Sequence, residues 1–107
     1  MPSYRCALEI RDVRAGHAPQ EVMEAALAGV DTLRLVEAHG LEIVRGKPVI
    51  TIRFLVEPAS ADTEDALAWA AARAMALAVD GVATQGALRL TRRVRGRWLR
   101  VWRPAAS

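Results

Sequence analysis

A chain of 107 residues, 52% hydrophobic and 25% charged, has the size and balance of one globular domain, which excludes a disordered or low-complexity chain. The single cysteine, Cys6, excludes an intrachain disulfide, and two histidines without ligand spacing, His17 and His39, argue against zinc. The net charge of +3 conceals an asymmetry. Residues 1–86 hold eight Lys/Arg and all twelve Asp/Glu, whereas residues 87–107 hold seven arginines and no acid. A basic strip on a mildly acidic body points to an anionic partner, either a nucleic acid or an acidic protein surface.

Residues 4–13 alternate, with Tyr4, Cys6, Leu8 and Ile10 on one side and Arg5, Glu9 and Arg11 on the other, which predicts a half-buried strand. Burial among aliphatic neighbours makes Cys6 a packing residue rather than a nucleophile, which would need an exposed, electropositive setting. Pro19 suits the first turn of a helix, and Val22, Met23, Ala26, Leu27 and Val30 then recur at helical spacing. The stretch 32–39 reads two ways. Gly29 ends the helix and a strand begins at Thr32, or the helix continues to a cap at His39-Gly40. The alternation of Leu33-Arg34-Leu35 favours the strand. Each histidine is expected in a loop or cap.

Residues 41–44 and 49–56 flank Arg45-Gly46-Lys47-Pro48 and predict a hairpin with Ile50, Ile52, Phe54 and Val56 facing the core. That basic turn lacks a Walker pattern, and no cofactor is expected. Ser60-Ala61-Asp62-Thr63-Glu64-Asp65 opens a second helix that runs to about Val79, with its acids in the first turn as capping groups rather than metal ligands. Its buried stripe is expected at Leu67, Ala70, Ala71, Ala74, Leu77 and Ala78, with Trp69 off the stripe at a corner of the core. The apolar stretch 66–79, broken by Arg73, is shorter than the roughly 20 residues a bilayer requires. The N-terminal MPSYRCALEIR carries charges where a signal peptide has its apolar run. A cytoplasmic location with no membrane contact is expected.

The last segment predicts two strands, 88–94 and 97–103, around Arg95-Gly96. Leu88, Leu90 and Val94 are even-numbered, Leu99 and Val101 odd, so one continuous strand would split them between faces. A two-residue turn pairs 94 with 97, 92 with 99 and 90 with 101, and all five then share the core face. The resulting order resembles the ferredoxin-like βαββαβ sandwich, an α+β arrangement of two helices on one antiparallel sheet, with an extra C-terminal hairpin strand. The resemblance is one of pattern, covers most of the chain and implies no activity. One α+β domain is expected over 1–103, followed by a short tail, 104–107.

The same register places Arg93 opposite Trp98, Thr91 opposite Arg100 and Arg89 opposite Trp102 on the face the helices leave open. Arg5, Glu9 and Arg53 lie on that face in other strands. Arginine and tryptophan dominate binding hot spots, and guanidinium over indole is worth roughly 0.5–1 kcal/mol when exposed. The expected interaction face comprises Arg89, Arg93, Arg95, Arg97, Trp98, Arg100 and Trp102. It predicts a non-enzymatic binding or assembly module that self-associates or takes a protein partner. The alternative is RNA or single-stranded nucleic acid on the same face, although the aromatic motif of RNA-recognition sheets is missing. An enzyme of the dimeric ferredoxin-like type is a third reading, for which Tyr4 and His39 are the only polar candidates on the apolar face and neither has an evident partner.

Overall fold

The structure is a computed structural model and describes residues 1–103, so the predicted tail at 104–107 lies outside the described residues. Seven elements follow in chain order: β1 (Ser3–Val13), α1 (Pro19–Asp31), β2 (Leu35–Val44), β3 (Lys47–Leu55), α2 (Ala61–Asp80), β4 (Ala83–Val94) and β5 (Arg97–Arg100). The strands form one antiparallel sheet in the order β2-β3-β1-β4-β5, with both helices on one face. This order is compatible with a ferredoxin-like arrangement.

The alternation read in the sequence holds in β1, the central strand. Tyr4, Cys6 and Leu8 are fully buried, opposite Phe54, Ile52 and Ile50 on β3 and Arg92, Leu90 and Leu88 on β4. Burial pushes the Cys6 thiol up to about 12, which makes it inert packing against Met75 and the Ile52 carbonyl.

Gly29 does not cap α1. The helix continues to Asp31, and Thr32 closes it through its hydroxyl, which donates to the Gly29 carbonyl at 2.8 Å. Gly29 is instead where α1 and α2 cross. A β-carbon there would lie 2.7 Å from the Ala74 carbonyl oxygen and 3.0 Å from Ala78 Cβ. The missing side chain serves close packing rather than a turn. The strand expected at 32–38 begins later, at Leu35, and is continuous with 41–44 as a single ten-residue β2. His39 therefore sits in mid-strand, not in a loop or cap. His17 does precede α1, 3.1 Å from Glu21, whose carboxylate accepts the Ala18 N–H at 2.6 Å.

In α2 the cap is as expected, with Ser60 Oγ accepting the Thr63 N–H. The buried stripe is as expected only in part: of the expected residues, Ala71 is buried and Leu67 packs against the core. Glu64, Ala68, Trp69, Ala71, Ala72, Met75 and Val79 face inward, while Leu77 is 77% exposed. The helix is rotated so that Trp69, Met75 and Val79 fill the core, each worth roughly 1.5–3 kcal/mol when fully buried. The small Ala74 and Ala78 are left to meet Gly29.

Both hairpins turn on two residues with positive φ, Arg45-Gly46 and Arg95-Gly96, the conformation whose twist matches paired strands. β4 begins five residues earlier than expected, at Ala83, and its pairing with β1 shifts register after Leu8. There Gly86 lies under the Glu9 carboxylate, where a β-carbon would approach Oε1 to 2.7 Å.

Candidate functional site

The C-terminal hairpin has the expected register, with Val94 opposite Arg97, Arg93 opposite Trp98 and Thr91 opposite Arg100, and Val101 donating to the Leu90 carbonyl at 2.9 Å. Two details differ. Val94 and Leu99 share a face with buried Leu90 and Val101, but the hairpin overhangs the first turn of α2, so Leu99 is 49% exposed and Val94 is exposed too. The third rung also departs from expectation. β5 ends at Arg100, and the Trp102 ring takes the Arg100 guanidinium at 4.3 Å rather than that of Arg89. Beyond β5 the Trp102 carbonyl accepts the indole N–H of Trp69 at 3.1 Å, which ties the end of the sheet to α2. Trp69 is thus a core residue with a satisfied polar handle.

On the open face the structure gathers more charge around Trp98 than the hairpin alone supplies. The guanidinium carbons of Arg5, Arg53 and Arg93 lie 4.7, 5.3 and 5.6 Å from the ring centroid. Three strands, β1, β3 and β4, thus each send one arginine to a single indole on β5. Arg53 is partly neutralised by Glu37, at 3.3 Å, and donates to Ser3. Arg5, Arg89, Arg93, Arg95, Arg97 and Arg100 have no acid within ion-pair distance among the described residues. All seven residues expected in the interaction face lie in β4, β5, their turn or the segment just beyond. Arg5 and Arg53 complete the cluster. Beside Trp98 the sheet floor is small, with Ala38, Gly40 and Thr51. Towards the opposite end, a hollow of about 410 Å³ is lined by residues that include Ala7, Ala87, Glu9, Glu42, Lys47 and Arg89.

The opposite face holds a polar cluster that the sequence reading missed. Arg92 passes under the sheet to α2, donating to Glu64 at 2.7 Å, to Asp65 at 3.3 Å and to the Tyr4 hydroxyl at 2.7 Å. Tyr4 in turn donates to Asp65 at 2.6 Å. Glu64 is only 6% exposed, and its other oxygen accepts the Ala59 N–H. That backbone bond, with Arg92 beside it, holds the Glu64 carboxyl below its usual range. Burial, reinforced by Asp65, raises the Tyr4 hydroxyl. Tyr4 therefore does have partners, and Glu64 and Asp65 do more than favour the helix end. The available signal was parity. Arg92 lies between Leu90 and Val94 in the core-facing series, and a guanidinium there needs carboxylates from the helix layer. Neither of the two hollows adjoins the cluster, and its groups satisfy one another, as in a structural tie.

No group of three or more metal-ligating side chains occurs among the described residues, and no helix among them is long and apolar enough to cross a membrane. No protein-family model matches the chain, and neither a curated protein nor a solved structure matches it at a significant level.

Proposed function

We propose that the protein is a non-enzymatic binding module whose open sheet face docks an acidic protein surface, on a ferredoxin-like scaffold extended by β5. The observation that carries this reading is the indole of Trp98 with three guanidinium groups around it, two of them without an acid partner. Stacking against a ring orients a guanidinium while leaving its N–H edge free for a bidentate carboxylate. It also occupies the ring, which disfavours Trp98 as a platform for nucleic-acid bases. Like charge weighs against a second copy on this same face. A face-to-face pair would set the basic clusters against each other, whereas stable interfaces keep charge complementary.

A second reading, single-stranded nucleic acid, is favoured by Trp102, which stands 73% exposed next to Arg100 and presents an aromatic surface to stack upon. Calorimetric titration with a polyglutamate peptide and with a single-stranded oligouridylate, at low and moderate salt, separates the two. Binding of the peptide, lost in Arg5→Ala/Arg93→Ala and weakened in Trp98→Ala, is the expected result. Binding of the oligonucleotide alone transfers the assignment to the second reading. Binding of neither overturns both.

A further inference from the structure

The two edges of the sheet are built differently. β5 is four residues long and carries Arg97 and Arg100, the kind of short, charged edge that discourages strand addition. β2 is ten residues long, Leu-Val-Glu-Ala-His-Gly-Leu-Glu-Ile-Val, with no lysine, arginine or proline to guard it. Its outer side has no neighbouring strand among the described residues. Leu41 and Ile43 pair with Ile50 and Pro48 and so share the face of the buried core, yet they are 61% and 67% exposed. A register shift between Val36 and Ala38 interrupts the start of this edge, and the regular stretch beyond it, 38–44, displays aliphatic side chains and is a template for another strand.

We infer that the β2 edge pairs antiparallel with the β2 edge of a second copy, about a two-fold axis through Leu41, to form one continuous ten-stranded sheet. The sequence of β2 is self-complementary in this register. Leu41 meets Leu41 on the helix side and Ala38 meets Val44 on the open side, so an aliphatic pair lies on each face, while His39 meets Ile43. The paired stretch ends at the register shift around Glu37, whose carboxylate is held by Ser3 and Arg53 of its own copy. Glu42 falls opposite Gly40. Centring the axis on Glu42 would oppose two like charges, and centring it on Gly40 would set Glu37 against Ile43. Directly opposed strand residues point to the same face, so both helical layers lie on one side and both basic faces on the other. The glutamates Glu37 and Glu42 are the only formal charges within β2, and the first of them is held within its own copy by Arg53.

This inference uses a different surface from the open-face reading and stands or fails apart from it. The test is sedimentation equilibrium of the full chain from low micromolar to several hundred micromolar. A concentration-dependent dimer is expected. Leu41→Lys and Ile43→Lys alter exposed side chains, preserve the fold by circular dichroism, and should raise the dimer dissociation constant by roughly tenfold or more, since they oppose charges or bury one in the pairing. Arg93→Ala, on the open face, should leave the mass unchanged. A monomer at every concentration, or a dimer that Leu41→Lys and Ile43→Lys leave intact, would overturn the inference.

Discussion

Arg92 and Arg93 are neighbours on β4 and live in opposite environments. Arg92 enters the helix-covered side and is held by two carboxylates and a phenol. Arg93 stands on the open side, held by an indole, with no acid near it among the described residues. A charge in the interior persists only when it is paired and hydrogen-bonded, so Arg92 is committed to the fold. At the surface, water already solvates the guanidinium, and an aromatic ring can orient it without neutralising it. One arginine is spent on stability, and the other keeps its charge unpaired at the surface among the described residues.

Substitution should separate the two roles, most strongly at Arg92. Arg92→Ala strands Glu64 as a buried unpaired carboxylate and is expected to cost about 3 kcal/mol, read by urea denaturation. Next comes pH. The folded Glu64 has a lowered pKa, so its contribution is present above the unfolded glutamate value and is lost as pH falls through the folded one. Tyr4 and Cys6 have raised pKa values and stay protonated when folded, so their contributions are lost as pH rises past about 8.5 for an unfolded thiol and about 10 for a phenol. A stability plateau at neutral pH with losses on both sides is expected, and its acid limb should flatten in Glu64→Gln. Tyr4→Phe removes one hydroxyl from the cluster and should cost about 1–2 kcal/mol by thermal melting. Smallest is Arg93→Ala, within about 0.5 kcal/mol of the parent in stability, as for other surface changes. Its effect belongs in the binding titration. A large loss of stability at Arg93, or none at Arg92, would erase the contrast.

Much of this contrast was legible in the chain. Parity fixed the register of β4 against β5, and with it the meeting of Arg93 with Trp98. The charge asymmetry pointed to the end of the chain whose arginines gather beside Trp98 and Trp102. What local pattern could not supply was anything that depends on which helix lies over which strand. Arg92 reads as a stray polar residue until the first turn of α2 is placed above it. Gly29 reads as a helix terminator until α2 is brought within contact distance. The buried stripe of α2 was misassigned because alanines occupy most of its circumference, so the apolar pattern hardly distinguishes one side from another. The actual orientation follows the bulk of Trp69, Met75 and Val79. Arg5 and Arg53 had the right parity for the open face, but only the side-by-side order of β3, β1, β4 and β5 brings them to one ring.

The three tryptophans occupy three distinct settings: Trp69 is buried against the core with its N–H bonded, Trp98 is half-buried among cations, and Trp102 is largely in water. The protein therefore carries its own set of optical reporters. Emission from Trp69 should be blue-shifted and follow unfolding, Trp98 should respond to occupancy of the basic face, and Trp102 should be the most accessible to a soluble quencher. Single-tryptophan variants would make these signals separable without any attached label.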